Sequence, residues 1–308
     1  MRKRLALGTG LISLLLSITA YSDNLIPRES APYPDNLLER TRLAATAIPG
    51  ELATAINLAK VAESHRTYAA IIEGGSDDEF ISARSAFQVL YPDGSVMLDS
   101  GMDEEVHRYY GFGRDEPYWQ EVNDDVQSAL RRGRLIIITH EHGDHIAGVI
   151  RSDYRDELAP KTILTRNQVA TLNLAAQIPQ IKITPEQAHD YIVVDYELVL
   201  PVAPGIVLIK SPGHTPGHQM VYIRLSDARE YLFIGDIGWS LDNITELKTR
   251  PAATAARIKE DPQALMHQMT WIRQVMNQDG LIVVPSHDDV LLNKYIAAGL
   301  LGESLSQQ

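Results

Sequence analysis

The 308-residue chain contains no cysteine. That absence excludes disulfides, thiolate metal ligands, thiol nucleophiles and lipid-modified cysteines. Any metal must therefore be held mainly by His, Asp or Glu. A covalent nucleophile must be oxygen or nitrogen, unless a metal-activated water attacks directly. Positive charge is also scarce: 28 Lys and Arg stand against 40 Asp and Glu, a formal net charge of −12. No broad basic surface for nucleic acid is expected on that balance. Short-period repeats and low-complexity tracts are missing. With 44% hydrophobic and 22% charged residues, the chain suits a large packed core rather than disorder.

A long membrane-spanning run is missing too. Residues 1–20 place Arg2, Lys3 and Arg4 before an apolar stretch centred on Leu14 to Leu16. The stretch is short of the roughly 20 apolar residues that a span needs. It reads as a secretory signal peptide, residues 1–22, with small residues Ala20 and Ser22 before the cut. An uncleaved anchor is the alternative. The expectation is an exported protein, periplasmic or secreted, with no stable membrane span after cleavage.

Residues 23–84 are expected to form an N-terminal helical extension, with helices over 37–48 and 52–63 broken at Pro49-Gly50. The main domain is then expected over 85–308. It opens with a hairpin, strands 86–90 and 95–98 around the turn Tyr91-Pro92-Asp93-Gly94. A glycine-containing loop follows, and then a helix over 118–131 with Val122, Val126, Ala129 and Leu130 on one face. Residues 134–139 (RLIIIT) suit a strand buried on both faces. Helices are expected over 146–150, 167–176, 262–276 and 289–298. Strands are expected at 163–164, 191–194, 197–200, 206–209, 220–224, 231–234 and 281–284. Strands and helices thus come in two successive sets, which a sheet-on-sheet core with helices outside satisfies.

Chemistry concentrates at His140-Glu141-His142-Gly143-Asp144-His145, just after the RLIIIT strand. Side chains two apart in an extended chain point the same way, so His140, His142 and Asp144 share a direction. His145 joins them where the chain turns into a helix. Glu141 points oppositely, either solvated or supporting. A zincin helix is excluded, because Asp144 stands where H-E-x-x-H needs its second histidine. His214, Asp236 and His287 each follow an apolar run. A sheet presents residues at such ends to a common rim. His65 reads as a surface or packing residue, and His107, His189 and His267, which lack a motif, read as surface residues.

At this point the sequence resembles the metallo-β-lactamase-fold hydrolase superfamily, over about residues 86–290. The resemblance rests on VMLDSG (96–101), THEHGDH (139–145), PGHTPGH (212–218), FIGD (233–236) and PSH (285–287). It implies an α/β fold, the αββα four-layer sandwich, with metals at one edge. It implies that His140, His142 and His214 hold one metal. Asp144, His145 and His287 would hold the second, and Asp236 would bridge both. Asp144 and Asp236 are the candidate catalytic carboxylates. Nitrogen and oxygen ligands suit two Zn²⁺ per chain, with Mn²⁺, Fe or Co²⁺ also possible. His218 would either orient a ligand or simply pack, and Asp99 would hydrogen-bond the metal loop.

The implied activity is a metal-bound hydroxide opening a cyclic ester or amide, a lactone or β-lactam, in a small-molecule substrate. A glyoxalase-type thioesterase, a mono-iron oxygenase and a non-catalytic metal-dependent binding module are the alternatives. A bridging Asp236 is similar to the lactonases and the glyoxalase-type enzymes and departs from the zinc β-lactamases. The stretch Asp99-Ser100-Gly101-Met102 resembles the acyl-homoserine-lactone lactonases. However, a tyrosine that those lactonases carry three residues after the bridging Asp is Trp239 here. Tyr109, Tyr110 and Phe112 either cover a hydrophobic substrate or pack within their loop.

Overall fold

The computed structural model describes residues 32–278 and 280–307. The expected signal peptide, residues 1–22, lies outside them. Alternation of apolar side chains builds two sheets that stack face to face. In the first, strands β1 (Ala55–Thr67), β2 (Glu79–Tyr91), β3 (Gly94–Leu98), β4 (Leu135–Ile137), β5 (Thr162–Thr165) and β6 (Ile192–Val194) lie in sequence order. The first three pair antiparallel and the rest run parallel. The second sheet has the order β11-β10-β9-β8-β7, from β7 (Val199–Ala203), β8 (Ile206–Lys210), β9 (Gln219–Arg224), β10 (Glu230–Gly235) and β11 (Leu281–Pro285). Only β10 and β11 are parallel there.

Each strand of the middle layers serves two cores because successive side chains face opposite ways. On β9, Val221 and Ile223 join Phe87, Val89 and Phe233 between the sheets. Its Met220 and Tyr222 join Leu265, Met269 and Ile272 on the outer side. On the run through β4, Ile137 faces the inter-sheet core, while Ile136 and Ile138 face Val126, Ala129 and Leu130. The helices that cover the outer faces are α1 (Leu37–Ala44), α2 (Glu104–Gly111), α3 (Gln120–Arg132), α4 (Gly143–Ile150), α5 (Arg166–Leu174), α6 (Leu241–Glu246), α7 (Ala252–Ile258), α8 (Pro262–Val275) and α9 (Asp289–Ala297). Helices, sheet, sheet, helices is the four-layer αββα sandwich that the motifs imply. Among the described residues no helix is long and apolar enough to cross a membrane.

Two expectations change. Residues 52–63, read as a helix, contribute instead to β1, which pairs with β2 from Ala55↔Leu90 to Thr67↔Glu79. Residues 55–67 and 79–84 of the expected helical extension are therefore strands of the first sheet. The reason is a register shift between Lys60 and Ala62. Such a bulge breaks the two-residue period. It leaves Leu58, Val61 and Ala62 at i, i+3 and i+4 in a segment rich in good helix formers. Long-range pairing overrides that local preference. The second change is α2, which folds inside the stretch read as loop, with Asp103 accepting from the Glu105 and Val106 amides as its cap.

Candidate metal centre

The seven residues come together at one edge of the sandwich. His140, His142, His214 and Asp236 form one buried group; Asp144, His145 and His287 form another. Within each group the potential ligand atoms lie within 4.8 Å of one another. Strand ends explain the convergence. His140 and His142 follow β4, His214 follows β8, Asp236 follows β10, and His287 follows β11. Asp144 and His145 occupy the first turn of α4.

Four of the five histidines turn Nε2 inward and tie Nδ1 to an oxygen. His145 Nδ1 donates to Asp99 Oδ2 at 2.8 Å. His287 Nδ1 donates to the Ala83 carbonyl at 2.7 Å. His214 Nδ1 donates to Glu260 Oε1 at 2.6 Å. The Thr139 hydroxyl donates to Asp99, so it accepts from His140 Nδ1 at 3.2 Å. Carboxylates and carbonyls can only accept, so these contacts fix the tautomers and leave Nε2 lone pairs facing the centre. His142 is inverted, with Nδ1 inward, 2.9 Å from His214 Nε2.

Asp236 stands between the groups. Its Oδ1 lies 3.1 Å from His287 Nε2 and 3.5 Å from His145 Nε2. Its Oδ2 lies 3.3 Å from His214 Nε2 and 3.7 Å from His140 Nε2. One carboxylate thus serves both sides, as a bridging ligand must. Asp236 Oδ1 and His145 Nε2 are buried without a hydrogen-bond partner. Such orphaned acceptors at a shared centre are what divalent cations would satisfy. The donor set of five imidazoles and two carboxylates therefore fits two Zn²⁺ or related divalent ions.

Electrostatics agree with that fit. Burial first, and then the neighbouring imidazoles, push His140 and His142 well below the usual imidazole range. Both rings are neutral at pH 7 and free to ligate. Against burial, Asp144 raises His145 and Asp236 raises His214, and those two shed a proton when they ligate a cation. Burial alone would raise the Asp144 carboxyl, but Arg84 and then His145 hold it well below the ordinary range. Asp236 is likewise held low against burial, by His287 and the other imidazoles.

The surrounding residues settle open readings. His218 is not a member of either ligand group. Burial pushes it down to about 3, so it is neutral, and its Nε2 accepts the Asp236 amide at 3.1 Å. Gly235, at φ +55°, makes that approach possible, since a Cβ there would sit 2.4 Å from the same nitrogen. Asp99 holds the metal loop by accepting from the Thr139 amide at 2.7 Å. Glu141 does point away from the centre, but it is buried rather than solvated. It accepts from Thr215 Oγ1 at 2.7 Å and from the Gly217 amide at 3.1 Å, clamping two ligand loops together.

His107, expected at the surface, is buried. Its Nε2 meets the Glu116 carbonyl at 3.1 Å and its ring stacks on Tyr118. His65 is half-buried against Glu79. His189 is exposed and His267 half-buried, both away from the metal groups. Sequence reasoning missed Arg84, which pairs with Asp144 from β2, and the buried pair Arg250 and Glu260 behind His214. None of the three lies in a recognisable motif.

A groove of about 500 Å³ opens beside His142 and His214, with Ala175, Ala176 and Ile258 supplying apolar wall. That volume suits a small organic ligand. At the same end, Tyr110 bonds Gln177 and accepts from the Gly143 amide at 3.0 Å. A side chain at Gly143 would collide with that phenol, at 2.7 Å from a Cβ. Tyr109 and Phe112 stay largely exposed. Trp239 donates from Nε1 to Asp236 Oδ2 at 2.7 Å.

Known proteins are similar to this chain in sequence or in fold. An N-acyl homoserine lactonase of Bacillus thuringiensis is 24% identical over 209 residues, 64% of this chain and 77% of that protein. A second N-acyl homoserine lactonase, from a Bacillus species, is 26% identical over 164 residues, 49% of this chain and 62% of that protein. A quorum-quenching N-acyl homoserine lactone lactonase superposes with TM-score 0.63 at 15% identity, covering 83% of this chain and all of that one. An N-acyl homoserine lactone hydrolase with N-hexanoyl-L-homoserine at its catalytic metal centre gives TM-score 0.62 at 16% identity, covering 79% and 96%. Residues 82–287 match the sequence profile of the metallo-beta-lactamase superfamily, and the chain belongs to that superfamily as a metal-dependent hydrolase.

Proposed function

We propose that this protein is an exported dizinc lactonase that hydrolyses the ring ester of an N-acylated lactone. The observation that carries the reading is Asp236, buried between the two ligand groups with imidazoles of both within hydrogen-bond range of its carboxylate, beside a partly apolar groove. The substrate class is suggested by relatives that hydrolyse N-acyl homoserine lactones. Export rests on the residues 1–22 pattern alone.

In this reading His140, His142 and His214 would hold one cation, and Asp144, His145 and His287 the other, with Asp236 shared. When bound, the cations supply Lewis-acid polarisation of the carbonyl and bring the pKa of water from about 15.7 towards 7. The protein supplies the rest. Arg84 keeps Asp144 ionised and fixed; although that pairing lowers its basicity, Asp144 is the carboxylate that would relay a proton from the attacking water to the departing ring oxygen. One carbon–oxygen bond forms, the ring bond breaks, and a hydroxy acid leaves. Trp239 steadies Asp236 Oδ2, and its indole offers no hydroxyl to the substrate. The wall of Ala175, Ala176 and Ile258 receives the acyl chain.

The test is a hydrolysis panel on the zinc-loaded protein: N-acyl homoserine lactones of graded chain length, unsubstituted lactones, β-lactams and acyl thioesters. Preferential turnover of acylated lactones, lost on Asp144→Asn, is the expected result. Preference for a thioester or β-lactam would replace the reading. Cell fractionation of the full chain tests export, with the protein expected outside the cytoplasm.

A further inference from the structure

His214 has its outward nitrogen held by a buried carboxylate that is itself ion-paired. Its partner Glu260 lies between α7 and α8, 46 residues on, with Nδ1 and Oε1 2.6 Å apart. The Glu260 side chain is fully enclosed, and so is that of Arg250, with which it forms an ion pair. Arg250 makes a second contact: its Nη2 donates to the main-chain carbonyl of Asp236 at 2.8 Å. Its guanidinium also lies over the Trp239 ring, 5.0 Å from the centroid. The segment is pinned to the ligand loop independently. The Asp261 amide donates to the Gly213 carbonyl at 2.9 Å, and Gln268 Nε2 donates to the Pro212 carbonyl at 2.8 Å.

A buried ion pair contributes little net stability compared with a well-packed apolar pair of the same volume. This pair does something that an apolar pair could not. Glu260 accepts the His214 proton, so the imidazole must present Nε2 to the centre. Arg250 compensates the Glu260 charge and grips the strand end that carries Asp236. We infer that Arg250 and Glu260 form a positioning dyad that couples the His214 ligand of one cation site to the bridging carboxylate Asp236. The inference rests on the two-cation reading of the site and is independent of the substrate. Neither residue touches the reacting atoms; they act through His214 and Asp236.

The experiment is zinc titration of the metal-free protein against a chromophoric chelator, for the wild type, Glu260→Gln, Glu260→Ala and Arg250→Gln. Removing a group that orients a ligand typically weakens metal binding roughly 10- to 100-fold. Glu260→Ala is expected to fall in that range and to retain one zinc per chain after dialysis. Glu260→Gln keeps a hydrogen-bond acceptor and should recover part of the loss. Arg250→Gln should weaken the same zinc, because Glu260 is then uncompensated and Asp236 loosened. A purely structural role gives a different pattern: thermal unfolding drops equally with and without zinc, while affinity stays at the wild-type value. That result overturns the inference. If Glu260→Ala does not fold, the two glutamine variants decide it by the same criterion. If the wild type binds a single zinc at any concentration, the two-cation reading fails first, and the titration shows that separately.

Discussion

Substituting Gly235 by alanine perturbs the centre without altering any ligand. The residue ends β10 at φ +55°, immediately before Asp236. Placing an L-residue in that region costs roughly 1–2 kcal/mol. The added Cβ would also stand 2.4 Å from His218 Nε2 and must displace the ring. The displaced ring no longer accepts the Asp236 amide, now 3.1 Å away, and a buried donor left unpaired costs about 1–3 kcal/mol. Together the change should destabilise by about 2–5 kcal/mol. At about 2–4 °C per kcal/mol for a large domain, melting should fall by about 4–20 °C. Differential scanning fluorimetry in excess chelator measures this without any contribution from metal loss. In a His218→Ala background the obstruction is gone, so Gly235→Ala should then show only the backbone cost. Equal destabilisation in both backgrounds would refute the argument, because it predicts strong coupling between the two positions.

Two further outcomes follow from single contacts. Trp239→Phe removes the indole donor from Asp236 Oδ2, a hydrogen bond to a charged group worth about 1.5–3 kcal/mol; lactone kcat/KM should fall at least about tenfold with zinc content unchanged, and unchanged kinetics would assign the indole a packing role. Glu116 is pulled towards higher values by burial, but Arg66 and Arg114 bring it below the ordinary carboxyl range. A carboxyl lowered in the folded state adds stability that is present above its unfolded pKa, about 4.3, and is lost as pH falls through the folded value. The melting difference between wild type and Glu116→Gln should therefore be largest near pH 7 and shrink towards pH 3.

What was legible in the sequence, and what was not, divides along chemical lines. His140, His142, Asp144 and His145 could be read because four ligand types crowd six residues at the end of a buried strand. His214, Asp236 and His287 could be read because each follows an apolar run. Arg84, Arg250 and Glu260 could not. Their partners lie 60, 14 and 46 residues away, and a lone Arg or Glu in a strand or loop looks like surface charge. Glu141 shows the same limit: its direction follows from strand alternation, but its burial depends on the Thr215–Gly217 loop folding over it. His107 is enclosed by the returning segment at Glu116 to Tyr118, which local periodicity does not reveal. The bulge in β1 concealed a strand for a different reason, since it scrambles the period from which strands are read.

Every role given to these residues depends on two cations sharing one carboxylate. Anomalous diffraction at the zinc absorption edge, from crystals of the protein purified without chelator, tests that claim most directly. Two peaks are predicted. One should lie within about 2.0–2.2 Å of nitrogens of His140, His142 and His214, the other equally near Asp144, His145 and His287, with an Asp236 oxygen on each. A single peak, or a pair that leaves Asp236 uncoordinated, would contradict it.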